Sequence, residues 1–174
     1  MASGWAYFEL TSADRPSANG TRQERYAVDH ESMTSYRVVT SPPLSWLAAR
    51  DACNDSNEML AVLEPVERAT FVTRFLRENK KAIMGENDEL FCFVGASRPA
   101  NAWNSIWPAS GPDFMWLDGQ PVNLTTTASF WADGRPNNLD ENDNVLSIKA
   151  TTTENFRWDD YDDFEKNCYI CQRQ

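Results

Sequence analysis

One histidine, His30, is all the imidazole in this chain of 174 residues. Imidazole is the commonest general base near neutral pH, so most ordinary catalytic schemes lose their central group. Long apolar runs are missing too. The longest, Leu90 to Ala96, has seven residues, far short of the roughly 20 that cross a bilayer as a helix. The first thirty residues hold no apolar stretch of the kind a secretory leader needs, so the chain as given is expected to carry none. Positive charge is scarce. Sixteen Lys and Arg stand against 26 Asp and Glu, a net charge of −10, which argues against nucleic acid or an anionic membrane surface as a partner. Internal repeats and low-complexity tracts are absent. A zinc site would want a second CxxC or a His pair, and neither exists.

The residues that are there describe one globular domain. Hydrophobic residues make up 41% and charged residues 24%, an ordinary globular composition. The length suits one domain with a self-sufficient core. Aromatics reach 12%, with seven Trp. The four cysteines, Cys53, Cys92, Cys168 and Cys171, are compatible with two disulfides in any of three pairings. Cys168 and Cys171 form a CxxC, but it lies in what reads as a terminal strand. The redox reading needs such a motif at a helix N-terminus, where the thiolate is stabilised. Structural bridges in an oxidising compartment are the plainer reading. Three N-glycosylation sequons fit that compartment: Asn19-Gly20-Thr21, Asn54-Asp55-Ser56 and Asn123-Leu124-Thr125.

Along the chain, Trp5–Leu10 can form a strand, and residues 12–25, polar with Pro16 and Gly20, read as a loop. Tyr26–Val28 and Tyr36–Val39 read as short strands. Residues 44–53 place Trp46, Ala49 and Cys53 at helical spacing. A second helix starts at Glu64-Pro65, where a missing N–H loses no partner. Val66, Ala69, Val72, Phe75 and Leu76 form its apolar face, and it ends near Asn79-Lys80-Lys81. Leu90–Val94 reads as a buried strand. Residues 97–114 are irregular, and Phe114–Leu117 leads into the turn signal Asp118-Gly119. Residues 122–144 are mostly loop. Asn144–Ile148, Asn155–Trp158 and Cys168–Gln172 are expected strands. Helices early and short strands around a long loop predict an α+β domain.

Seven segments then match one family in order. They are residues 44–53 (LSWLAARDAC), 60–63 (LAVL), 93–95 (FVG), 114–121 (FMWLDGQP), 130–138 (FWADGRPNN), 158–160 (WDD) and 169–172 (YICQ). Over residues 36–174 the chain resembles the C-type lectin-like domain. The resemblance implies that α+β fold: two helices, two small antiparallel sheets and a long loop region. Residues 1–35 are then an N-terminal extension with added strand, and residues 36–174 the domain. It implies a disulfide from Cys53 to Cys171. The family's second common bridge lacks its cysteines here. Cys92 and Cys168 are left over and expected to pair, the alternative being two buried free thiols.

The resemblance also implies a site. Sugar-binding members hold calcium with a loop of EPN type, an acidic residue after it and a WND pair. Such a hard cation takes several oxygen ligands. Carried onto this chain, Asn137 keeps the loop amide. Asp143 stands for the acidic ligand, with Glu141 as alternative. Asp159 replaces the WND asparagine, and Asp160 keeps its aspartate. The metal set is then Asn137, Asp143, Asp159 and Asp160. Arg135 stands where the loop has its glutamate, and a guanidinium cannot coordinate a cation. Two arrangements follow. Calcium binds and Arg135 swings out to ligand or solvent, or Arg135 replaces the ion by bridging Asp143 and Asp159 or Asp160. Residues 140–165 hold nine acids against Lys149 and Arg157, a field one arginine would not neutralise, which keeps calcium a candidate cofactor. A plain solvated acidic face is the alternative.

The function expected from the resemblance is an extracellular module, secreted or on the cell surface. It recognises a glycan through Arg135, Asn137, Asp143 and Asp159, with or without calcium. The alternative is a calcium-independent module for a protein ligand, Arg135 locking the loop. Arg135-Pro136-Asn137 matches neither the mannose-type nor the galactose-type loop, so the sugar is left open. No catalytic residues and no enzyme activity are expected. Asp159 and Asp160 are adjacent, point to opposite faces of a strand and flank one bond poorly. His30 is expected on the surface. Trp46, Trp116, Trp131 and Trp158 are expected in the core. Trp103 and Trp107 are contact candidates in the irregular loop, or a small core that pins it.

Overall fold

Near-continuous burial turns the middle of the chain into strands. Thr34, Tyr36, Arg37, Val38 and Val39 are buried along one segment, and Phe91 to Ala96 along another. The protein is seen in a computed structural model that describes residues 16–17, 20–21, 23–98, 114–139 and 142–174. The expected strand Trp5–Leu10, the Trp103 and Trp107 contacts and Glu141 lie outside them.

The described residues form ten strands and three helices. In chain order they are β1 (Pro16–Ser17), β2 (Gly20–Thr21), β3 (Gln23–Asp29), β4 (Thr34–Leu44), α1 (Trp46–Asp55), β5 (Met59–Leu60), α2 (Val66–Glu78), α3 (Lys80–Met84), β6 (Glu89–Ser97), β7 (Met115–Trp116), β8 (Val145–Thr151), β9 (Arg157–Tyr161) and β10 (Asn167–Arg173). Among the described residues, β1 and β2 pair only with each other. The main sheet runs β3-β4-β10-β6-β8-β9, with β5 against β10 and β7 against β6. Every pairing is antiparallel except β10 with β6. That parallel contact joins what was expected as two separate sheets into one mixed sheet.

Both expected disulfides are present. Cys53–Cys171 ties α1 to β10, and Cys92–Cys168 joins residues directly opposed in the β6–β10 pairing. α1 buries Trp46, Ala49 and Cys53, the face read from its spacing. It starts two residues later than expected, because Leu44 is still paired to Asn167 as the end of β4. α2 buries Ala69, Val72, Phe75 and Leu76 as expected, and Phe71 and Thr73 as well.

Three departures have physical causes. β3 begins at Gln23, within the segment read as a loop. Its polar Glu24 is buried because β4 sets Arg37 beside it. α3 was not expected; five residues are too few to show a period. It buries Ile83 and Met84, and Asn79 Nδ2 donates to Phe75 O at 2.9 Å where α2 gives way to it. β9 is shifted toward Tyr161, so that two acids stand in a strand interior. Its register with β8 from Lys149↔Arg157 to Val145↔Tyr161 holds them there.

Gly95 marks the closest approach of backbone to backbone. Its N–H donates to Ala61 O at 2.8 Å, and a Cβ there would stand 2.6 Å from Leu60 O. The obstacle is main chain and cannot rotate away. Gly95→Ala is expected to cost about 1–3 kcal/mol, the usual penalty of overpacking, read as a lower denaturation midpoint.

Candidate functional site

The site is built where the long loop runs back along β9. Trp158 N donates to Phe130 O at 2.7 Å, and Ala132 N donates to Trp158 O at 2.8 Å. Trp131 and Trp158 form an isolated parallel bridge. Beneath it the indoles of Trp116 and Trp131 meet that of Trp158 edge to face at 5.9 and 5.7 Å, and Phe130 stacks on it at 5.2 Å. The four tryptophans expected in the core, Trp46 included, are all buried. Gly134 takes φ 75° and Asn138 φ 47°. These left-handed residues turn the chain on either side of Arg135-Pro136-Asn137.

That course delivers Arg135 to the acids. Its Nε lies 3.1 Å from Asp159 Oδ1, and its Nη1 lies 3.6 Å from Asp160 Oδ1. Nη1 also donates to Asn137 Oδ1 at 2.5 Å. Asp159 and Asp160 face opposite sides of β9, opposite Ser147 and Leu146, yet the guanidinium reaches one carboxylate oxygen of each. Asp160 further accepts from the backbone N–H groups of Asn137, at 3.1 and 3.0 Å, and of Asn138, at 2.5 Å. Asp143 is buried close by; its charge helps to raise the pKa of Asp159.

A second cation was not anticipated. Arg98, buried at the end of β6, brings Nη2 to 3.6 Å from Asp160 Oδ2, and its Nε donates to Asp143 O at 2.9 Å. The field that one arginine would not neutralise therefore meets two. Arg98 lies 37 residues ahead of Arg135 in the sequence, and no motif points to it.

These residues do not fit a calcium ion as they stand. An oxygen each of Asn137, Asp159 and Asp160 faces the Arg135 guanidinium. Among the described residues no three His, Cys, Asp or Glu side chains gather as a metal site. A divalent cation inserted beside the guanidinium would meet like charge at contact distance.

Burial still costs Asp159 something. It pushes the carboxyl up to about 6 from an ordinary 3.8, Arg135 opposing and Asp160 adding to the rise. A carboxyl raised in the folded state holds its proton more tightly there than in the unfolded chain. Its contribution to stability is therefore greatest below about pH 4 and is lost as pH climbs through 6. Asp159→Asn is expected to be more stable than the parent at pH 7.5, by up to about 3 kcal/mol. The two should converge near pH 4, in denaturant titrations across that range.

Beside the cluster opens a groove of about 630 Å³, its lining including Arg77, Arg135, Lys149, Glu154, Arg157 and Asp159. Nothing in it resembles catalytic machinery; His30 is exposed at the β3–β4 turn.

Comparison with known proteins agrees with this fold. The family model described as "Lectin C-type domain" matches residues 42–173. Human C-type lectin domain family 4 member C is 24% identical over 140 residues, covering 80% of this chain and 53% of that protein. The chain spans about half or less of the length of the first relatives it matches. Among solved structures, the C-type lectin domain of murine dendritic cell inhibitory receptor 2 in complex with N-glycan superposes with a TM-score of 0.59. It is 20% identical and covers 81% of this chain and 91% of that one. The Ca2+-independent C-type lectin SPL-2 from Saxidomus purpuratus gives a TM-score of 0.54 at 18% identity, covering 79% and 86%.

Proposed function

As the chain belongs to the C-type lectin domain family, whose members are non-enzymatic binding modules, we propose that it binds a carbohydrate without calcium, Arg135 taking the place of the ion. Residues 36–174 are the binding domain, and residues 1–35 an extension that contributes β3 to its edge. The observation that carries this reading is the Arg135 guanidinium among Asp159, Asp160 and Asn137. It and Arg98 supply the positive charge that the acids need, and they hold the loop where an ion would otherwise hold it. One neighbour in fold is a Ca2+-independent C-type lectin, and another was solved in complex with N-glycan; both support the reading. Two disulfides and the exposed sequon residues Asn54 and Asn123 support a secreted or cell-surface setting.

Calcium titration is the test. A ligand at a hundred times its Kd adds about 2.7 kcal/mol, which in a domain of this size raises Tm by roughly 5–10 °C. No shift is expected between chelator and millimolar calcium, and a rise of that size would defeat the reading. Arg135→Glu, which returns the family's acid, is expected to gain a calcium-dependent rise. A glycan array then tests sugar binding itself. A blank array would favour a protein partner, for which the exposed Leu139 at the loop rim is a contact.

A further inference from the structure

Four basic side chains line one groove of a chain whose net charge is −10: Arg77, Arg135, Lys149 and Arg157. Two of them are committed elsewhere. Arg135 pairs with Asp159 and Asp160, and Lys149 Nζ lies 2.8 Å from Glu89 Oε1. Arg77 and Arg157 are exposed. Among the described residues no carboxylate comes within ion-pair distance of either. Each is held by a backbone carbonyl instead. Arg157 Nη1 donates to Ser129 O at 2.7 Å, and Arg77 Nη2 to Phe156 O at 3.4 Å. A guanidinium carries five N–H donors, so one bond to main chain orients the fork and leaves most of it free. Lys149 and Arg157 also stand directly opposite each other across β8 and β9. Like charges at opposed positions destabilise a strand pair. Glu89 offsets Lys149, and Arg157 is left for something from outside.

We propose that this groove binds the anionic group of an acidic sugar, a carboxylate or a sulfate, between the guanidiniums of Arg77 and Arg157. The proposal rests on the reading of the chain as a glycan-binding module and specifies the ligand class. The paired oxygens of a carboxylate or a sulfate suit the two-pronged arginine fork. The rest of the lining selects a sugar over a bare polyanion. Asp133, Glu154 and Asn155 lie in the same groove; they would repel a phosphate chain but accept hydrogen bonds from hydroxyls. A ligand carrying one oxyanion and several hydroxyls satisfies both halves.

The test uses one N-glycan in three forms, neutral, sialylated and sulfated, titrated calorimetrically at low salt. At least one acidic form is expected to bind about tenfold or more tighter than the neutral form, as befits a charge-assisted pair. Which acidic form leads tells carboxylate from sulfate. The double variant Arg77→Gln, Arg157→Gln is expected to lose that advantage while its Tm holds or rises, because the opposed like charges are relieved. Arg50→Gln, on the outer face of α1, is expected to keep it. Equal binding of neutral and acidic forms would overturn the groove assignment and leave the glycan module standing. So would an acidic preference that survives the double variant. Failure of all three forms to bind would bring down the glycan reading itself and this proposal with it.

Discussion

Arg37→Ala is expected to destabilise the fold by about 3–5 kcal/mol, the cost of stripping one member from a buried ion cluster. Arg37 is 4% exposed and lies on β4 between two carboxylates from different parts of the chain. Its Nη1 is 2.8 Å from Glu24 Oε1 on β3. Its Nε donates to Glu58 Oε2 at 2.8 Å, beyond the end of α1, and Nη2 donates to the same oxygen. Burial alone would pull the guanidinium's pKa down. The hydrogen bonds and charges of Glu58 and Glu24 outweigh it, and the net shift is upward. Tyr26 extends the cluster by donating to Glu24 Oε2 at 2.7 Å. Burial first, then this bond, push its hydroxyl up to about 12. Removing the arginine takes from Glu24 and Glu58 the buried cation they share, leaving Tyr26 on the first and Arg173, at 4.0 Å, on the second. Replacing all three charges by apolar residues of similar size, as in Arg37→Met with Glu24→Leu and Glu58→Leu, is expected to cost much less. Urea titrations of both variants separate the two outcomes; equal losses would mean that the cluster's worth lies in packing and not in charge balance.

Removing the Cys53–Cys171 bridge by a double change to alanine is expected to be of similar size, about 4–5 kcal/mol on the chain-entropy account. The bridge closes a loop with a sequence separation of 118. The Cys92–Cys168 bridge has a separation of 76, and loop entropy distinguishes the two by only about 0.4 kcal/mol. Local geometry separates them further. Cys92 and Cys168 are already neighbours in a β ladder, whereas Cys53 sits on a helix that has no ladder bonds to the sheet. The first bridge is therefore the one whose loss should loosen α1 from β10. Arg37 Nη2 also lies 3.4 Å from Cys171 Sγ, so the two predictions are coupled, and the combined variant should not show the sum of the separate losses. Denaturant midpoints of the single, double and combined variants measure that coupling.

Much of this architecture was legible in the residues. α2 announced itself because its apolar positions recur over thirteen residues, and β6 because its run is too buried and too short to be a helix. The ordered segments from residue 44 to residue 172 pointed to the family, the Cys53–Cys171 bridge it implied is observed, and the two cysteines left over pair as expected. What stayed hidden depends on partners distant in sequence. Glu24 looks like a loop residue until β4 brings Arg37 to it. The strand expected at Asn155–Trp158 takes in Asp159 and Asp160 only once β8 fixes the register. Arg135 stood out in the sequence as the departure from the loop's pattern. Whether it stood among the acids or outside them depended on the loop's pairing to Trp158, which no local pattern announces. Arg98 gave no signal at all, because a lone arginine at a strand end is unremarkable until the fold buries it next to Asp160.

The order of strands has a consequence for how the molecule is made. β10 is the last strand of the domain to leave the ribosome, yet it lies in the interior of the sheet, between β4 and β6, and carries one half of each disulfide. Until residue 173 has been delivered, β4 and β6 wait with open edges and Cys53 and Cys92 as thiols without their partners. Open strand edges are templates for pairing with another chain, so the incomplete domain is more prone to strand exchange than the finished one. A chain that stops short of Asn167 would lack the strand on which both halves of the sheet close.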